Sequence, residues 1–352
     1  MATIFVSDLA TTGFGLENSA YGSLPSGGLA TANKHFGIVK GTLEFPDDEV
    51  EFEPQYIFGH GRNPAYFMEG KHDCTGSIEF MVQNGRFLFF ALGGYIDETP
   101  NFSGSLDKHE IITTSAKDID TAPRATEGGL SSHVDGQAHR TLPSFTWHVS
   151  MENPDGSAGD WARYALGCKV DTCTIKGEAE GAMTATLDVI AKKTVDSNTT
   201  LIATTPETGN VFTFAGGTVT FAGSGLAEVT DFEITINNNL KPKFYWNTTN
   251  TKYLTDLVEA KREITAKMTV LPKNRDFFTR LISAKGTAAF DVIIKAEQDT
   301  DATQYIQYTL NNCYLKTAPH NLSEDDVEVT TELDMVVEFI GVEIVDKQGS
   351  IL

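Results

Sequence analysis

Cysteine is scarce in this chain of 352 residues, with four at Cys74, Cys168, Cys173 and Cys313. That is too few for a disulfide framework. Cys168 and Cys173 have no matching second pair and no nearby histidine, so the spacing of a structural zinc site is missing. Long apolar runs are missing too. No stretch approaches the roughly eighteen apolar residues that cross a bilayer. The opening Met1-Ala-Thr-Ile-Phe-Val-Ser-Asp8 has neither the basic start nor the apolar run of a signal peptide. The expectation is a soluble protein that uses no membrane. Basic residues are also in short supply, 27 against 48 acidic, for a net charge of −21. Such a surface favours solubility and opposes tight binding to phosphate backbones.

Reactive motifs are equally lacking. No glycine loop opens a helix as in nucleotide binding, no metalloprotease helix occurs, and no acids are spaced around a glycine as in a calcium loop. The histidines are scattered, and His109, His133 and His139 fall together in one polar stretch that reads as exposed loop. The run Glu324-Asp325-Asp326-Val-Glu328 reads as a solvated turn ahead of a strand. The expected inventory is therefore no catalytic residue, no cofactor and no metal ligand, and the chain reads as no enzyme.

What the chain does contain is a repetition. Thr75-Gly-Ser-Ile-Glu-Phe-Met-Val-Gln-Asn-Gly-Arg-Phe-Leu-Phe-Phe-Ala-Leu92 is echoed by Thr265-Ala-Lys-Met-Thr-Val-Leu-Pro-Lys-Asn-Arg-Asp-Phe-Phe-Thr-Arg-Leu-Ile282. Phe145-Thr-Trp-His-Val149 is echoed by Phe290-Asp-Val-Ile-Ile294, and Met183-Thr-Ala-Thr-Leu-Asp-Val189 by Val329-Thr-Thr-Glu-Leu-Asp-Met335. Tyr164 and Tyr308, Cys168 and Cys313, and Asp188 and Asp334 also match in order. Phe87 and Phe145 stand 58 positions apart, but Phe277 and Phe290 only 13, so the first copy holds about 45 extra residues, roughly Tyr95 to Leu142. Four matches in register and in order point to an internal duplication.

Apolar residues alternate with polar ones along most of these segments, the period of a strand with one buried face. Glu49, Glu51 and Glu53 alternate with Val50 and Phe52, placing acids on one face of a strand. Asn84 and Asn274 are expected to cap short helices. Phe87 and Leu88 in one helix, and Phe277 and Phe278 in the other, begin apolar stripes expected to plug the core. Residues 1–35, rich in Gly, Ser, Thr and Ala, read as an extended arm. The divisions that follow are the arm at 1–35, a first domain at 36–195 with its insertion at about 95–142, a linker at 196–210, and a second domain at 211–352.

Gly13-Phe-Gly-Leu-Glu-Asn-Ser-Ala-Tyr-Gly22 and Ala65-Tyr-Phe-Met-Glu-Gly-Lys71, leading into Gln83-Asn-Gly-Arg-Phe-Leu-Phe-Phe-Ala-Leu92, resemble the tube proteins of tailed phages. They are similar in particular to the siphovirus-like group whose chain carries two tube domains. The resemblance implies a mainly β fold. It would hold two tandem β-sandwich or barrel-like domains, each with a flanking short α-helix, plus the extended arm. It further implies a structural protein of the virion tail that forms stacked rings, trimeric with pseudo-sixfold symmetry, as a conduit for genome DNA. Partners implied are further copies of the chain and the tape-measure, tail-terminator and distal-tail proteins, with assembly in the host cytoplasm. DNA would pass without specific binding, and Glu49, Glu51 and Glu53 are candidates to line the lumen. Two other readings stay open. One is a baseplate or distal-tail ring protein. The other is a duplicated carbohydrate-binding or adhesion β-sandwich, which would expose aromatics such as Trp161 or Trp246, whereas Trp147 alternates like core.

Overall fold

The computed structural model describes residues 10–17, 21–26, 28–29, 32–59, 61–93, 95–112, 142–151, 161–179, 181–197, 209–221, 227–245, 253–272, 279, 289–317, 320–321 and 330–347. The first half of the chain forms β1 (Ala10–Leu16), β2 (Gly37–Gln55), β3 (Tyr66–Val82), α1 (Arg86–Leu92), β4 (Tyr95–Ser103) and β5 (Leu106–Ile112). It continues with β6 (Phe145–Met151), β7 (Trp161–Glu178), β8 (Thr184–Ala191) and β9 (Lys193–Ser197). The second half forms β10 (Phe212–Phe221), β11 (Ala227–Asn237), β12 (Leu240–Lys243), β13 (Asp256–Glu259) and β14 (Glu263–Pro272). Then come β15 (Phe290–Gln298), β16 (Asp301–Thr317), β17 (His320–Asn321) and β18 (Thr330–Asp346). The protein is mainly β, as its alternating pattern requires.

The two halves have the same antiparallel strand order. In the first it runs β2, β3, β8, β7, β6, β1. In the second it runs β11, β14, β18, β16, β15, β10. Residues matched in sequence also match in register. Ile78 faces Leu187 as Met268 faces Leu333, and Phe145 faces Cys168 as Phe290 faces Cys313. The agreement reaches single atoms, for the Cys168 thiol donates to the Ala165 carbonyl and the Cys313 thiol to the Leu310 carbonyl, each at 3.5 Å. A bulge falls at the same place in both copies, between Val170 and Thr172 and between Leu315 and Thr317.

Two contacts join the halves into one sheet. β11 pairs with the C-terminal part of β7, from Asp231 opposite Glu178 to Asn237 opposite Thr172. The β4–β5 hairpin adds its β5 strand to the end of β18, Ile111 opposite Val342. The inward side chains of β8, β11 and β14, among them Leu187, Ile234 and Met268, are buried in one continuous core. Burying an aliphatic side chain of this kind contributes about 1.5–3 kcal/mol.

Three expectations are corrected in detail. The span 1–35, read as an extended arm, contains β1, whose Phe14 is buried and stacks on Phe36 at 3.7 Å. Its small residues misled because β1 needs only one large inward side chain, Phe14, where Gly15 lets the backbone approach Ala32 so closely that a Cβ would meet the Ala32 Cα at 2.7 Å. The helix is capped by Gly85 in place of Asn84, whose carboxamide oxygen accepts the Arg86 N–H at 3.1 Å from one position earlier. A Cβ on Gly85 would meet Ile344 of β18 at 2.0 Å, so close packing between the halves selects glycine there. And the helix is buried on every side, Arg86 included, because α1 sits in the aromatic core with Phe14, Phe80 and Phe145 around it. Phe87 and Leu88 are both fully buried, while Phe277 and Phe278 lie outside the described residues. So do most of the expected linker and residues 113–141 of the insertion.

Replacing Phe87 with Ala removes a ring that packs edge-on against Phe80 at 5.1 Å in this core. The expected loss is about 3–5 kcal/mol, read as a lower denaturant midpoint with an unchanged slope.

Candidate functional site

The strand order gives the joined sheet one apolar and one polar face. Partners directly opposite in an antiparallel pair project to the same side. Ser77 opposite Asp188, Glu233 opposite both Lys176 and Lys267, and Lys267 opposite Asp334 therefore share the face that points away from the core. The Ser77 hydroxyl donates to Asp188 at 2.9 Å, and Lys176 pairs with Glu233 at 3.0 Å. Both groups are largely solvated, so such pairs contribute at most about 1 kcal/mol. The matched acids Asp188 and Asp334 thus lie on one wall, which pattern-matching alone did not reveal.

Glu49, Glu51 and Glu53 are all exposed on β2. Glu49 stands opposite Asp73, which places it on the same polar side as Ser77. The amine of Lys71, 2.5 Å from Asp73, is held above its ordinary range by Asp73 first and by Glu51 and Glu49 after it. Residues 47–73 hold seven carboxylates against Arg62 and Lys71. Phe52, expected on the buried face, is 60% exposed because the β2–β3 hairpin extends beyond the core.

That hairpin also gathers several of the exposed large apolar side chains among the described residues. Tyr56, Phe58, Tyr66, Phe67 and Met68 are all exposed at its tip. The counterpart excursion between β11 and β14 behaves otherwise. Its Leu240, Leu254 and Leu257 pack with Leu142 and against Ile190, and its Glu259 pairs with Lys169 at 2.8 Å.

β1 is held in place by buried polar groups. The Glu17 carboxylate, 1% exposed, accepts from the Gly22 N–H at 2.8 Å, the Ser144 hydroxyl at 2.7 Å and the Gly167 N–H at 2.6 Å. His148 on β6 shares a 2.6 Å hydrogen bond with the Ala32 carbonyl, an acceptor that assigns the proton to Nε2. Burial pushes the His148 imidazole down to about 4, against the opposing effect of that hydrogen bond.

Among the described residues no group of three or more His, Cys, Asp or Glu could hold a metal ion. His109 is fully buried, 3.3 Å from Asp346, while His133 and His139 lie outside the described residues. All four thiols are buried, and burial raises Cys74 to about 12, far from a reactive thiolate. Trp147 is buried as its alternation predicts, and no helix among the described residues is long and apolar enough to cross a membrane.

A β fold of two halves with the same strand order, whose β2 is a terminal strand among the described residues, is suited to association. The chain belongs to the phage tail tube protein family, whose model matches residues 9–335. No curated protein matches it. Membership makes it a structural component of the virion tail that self-assembles into the tube.

The His148 environment has a pH consequence. Its folded value lies below the ordinary 6.5, so between pH 6.5 and about 4 the unfolded chain binds more protons. Stability is therefore complete above pH 6.5 and falls as the pH drops toward 4, by roughly 3 kcal/mol. His148→Gln, which still donates but does not titrate, should flatten the pH dependence of the unfolding midpoint relative to the parent chain over that window.

Proposed function

We propose that three copies of this chain close into a ring of six homologous units, and that stacked rings form the conduit through which genome DNA leaves the virion. The observation that carries this reading is the identical strand order of the two halves, joined edge to edge by β7 and β11. One such join inside each chain supplies three of the six contacts between units, and three joins between chains close a pseudo-sixfold ring. The units are residues 36–195 and 211–352, with the 95–142 insertion belonging to the first and 196–210 linking them, while 1–35 precedes them and lends β1 to the sheet of the first unit.

The polar face of the joined sheet is our candidate for the lumen wall. Glu49, Glu51 and Glu53 extend it along β2, and Asp188 and Asp334 repeat on it once per unit. A wall with more carboxylates than amines repels phosphates and gives DNA no cation to hold. The chain acts as a structural element and performs no catalysis. Tape-measure, tail-terminator and distal-tail proteins are the partners such a tube requires at its centre and ends, and assembly takes place in the host cytoplasm.

Negative-stain microscopy of the purified chain over a range of concentrations tests the ring. Hollow rings or striated tubes with threefold end views are expected, and closed particles without a channel would sink the reading. The wall is tested separately. Asp188→Lys combined with Asp334→Lys should leave tubes intact but make them retain DNA at low salt and release it as salt rises. Retention no greater than that of the parent tube would place the lumen elsewhere.

A further inference from the structure

The intramolecular join contains the template for the intermolecular one. In the first half the edge formed by Thr172–Glu178 of β7 is occupied by β11. Register identifies the corresponding edge in the second half. Cys313, Tyr314 and Leu315 take the places of Cys168, Lys169 and Val170, the bulge follows in both, and β17 then continues the strand. His320 and Asn321 pair with Thr331 and Thr330 as Ile175 and Lys176 pair with Ala185 and Thr184. Among the described residues no strand occupies the other side of this edge. The counterpart of β11 is β2, where Leu43 faces Ile78 as Phe232 faces Met268, and Glu44 faces Ser77 as Glu233 faces Lys267. β2 is the terminal strand of its sheet, with β3 its one partner among the described strands.

What covers the join differs between the two places in a way that fits a missing neighbour. In the first half the pair Lys169 and Ile190 lies under the excursion between β11 and β14, through Glu259 and the leucines named above. The corresponding pair in the second half is Tyr314 and Val336, left 44% and 37% exposed. The segment corresponding to the excursion is the β2–β3 tip, which leaves Phe52, Tyr56, Phe58, Tyr66, Phe67 and Met68 exposed. Charge agrees as well. Asp171, the bulge residue of β7, accepts the Leu240 N–H at 2.7 Å, whereas its counterpart is the exposed Lys316. In the same register Lys316 comes opposite the acidic stretch of β2 that holds Glu49 and Glu51.

We infer that β2 of one copy pairs antiparallel with the β16–β17 edge of the next, Glu44 opposite Asn321, and that its β2–β3 tip covers Tyr314 and Val336 of that neighbour. The inference rests on the ring reading and names the surfaces that close it. Two unmet strand edges, two apolar patches and one charge pair are matched by a single register.

A disulfide tests it, since two Cα atoms more than about 7 Å apart cannot be bridged. Glu44→Cys with Asn321→Cys, mildly oxidised in assembled rings, should give covalent dimers and a closed trimer on a non-reducing gel. Glu49→Cys with Asn321→Cys, four register positions away, should give none. Threefold rings without the first cross-link would overturn the edge assignment and leave the ring standing, whereas no ring under any condition would overturn both. A second variant, Phe58→Ser with Phe67→Ser, changes exposed residues only and should leave the monomer's unfolding midpoint unchanged. It should weaken association by roughly tenfold or more, and unaltered association would overturn the assignment of the tip.

Discussion

A strand that ends a sheet leaves a row of N–H and C=O groups that must find a partner or remain in water. In this chain β7 is where that constraint is resolved. Its first part lies between β6 and β9 and its last part between β8 and β11, so it runs from one layer of its own half into the sheet shared with the other. The bulge between Val170 and Thr172 marks the change. The Asp171 carbonyl and carboxylate are turned outward there, and they accept the N–H groups of Asn238 and Leu240 at 2.8 and 2.7 Å. One irregular residue thereby fastens the second half to the first at the point where the sheets merge. Around it Cys173, Ile175, Ile234 and Ile236 are all fully buried, so the join has the interior of a domain rather than the surface of a contact.

The same merger explains the burial of the helix. A seven-residue helix has little stability of its own in water. α1 gains it from the aromatic cluster of Phe14, Phe36, Phe80 and Phe145, where its Phe90 lies 4.8 Å from Phe145 and 5.3 Å from Phe14. β1 contributes to that cluster from the N-terminal segment. The Glu17 carboxylate and the His148–Ala32 hydrogen bond therefore act on the core as much as on the segment they anchor.

Much of this was legible in the sequence, and the physical reason is the two-residue period. A match such as Ile78 with Met268, or Leu187 with Leu333, survives because both members face the same core across the same partner strand. The offset of Cys168 and Cys313 was readable for the same cause, since each is a small, fully buried side chain opposite a phenylalanine, Phe145 or Phe290. β1 was not readable, because Gly13 and Gly15 break the alternation that would have marked Phe14. Phe52 was misplaced because alternation reports which side a residue points to, and cannot report whether the core reaches that far along the strand. The join itself lies beyond any pattern. β7 and β11 carry ordinary alternation, and nothing local distinguishes a strand that will have two neighbours from one that will have one.

The differences between the halves then carry as much meaning as their likeness. Inside one chain, β11 meets β7 at the high effective concentration that a covalent connection enforces. That contact is made by backbone pairing, buried aliphatic residues, the Asp171 hydrogen bonds, the Lys169–Glu259 pair and the solvated Lys176–Glu233 pair. A contact between separate chains must also overcome lost translational and rotational freedom. It therefore requires more apolar area than its internal counterpart. The first-half hairpin supplies such area. Where the second-half excursion offers leucines that are already covered, the β2–β3 tip offers Phe58, Phe67 and their neighbours to solvent. An exposure of this size on a lone molecule favours indiscriminate sticking. Beside the β2 edge that we infer to pair with another copy, and set among acids that repel copies approaching in the wrong register, the same exposure would be selective. The two halves share one strand order, and on the inference drawn above the different entropic costs of the internal and the intermolecular join account for the residues in which the halves diverge.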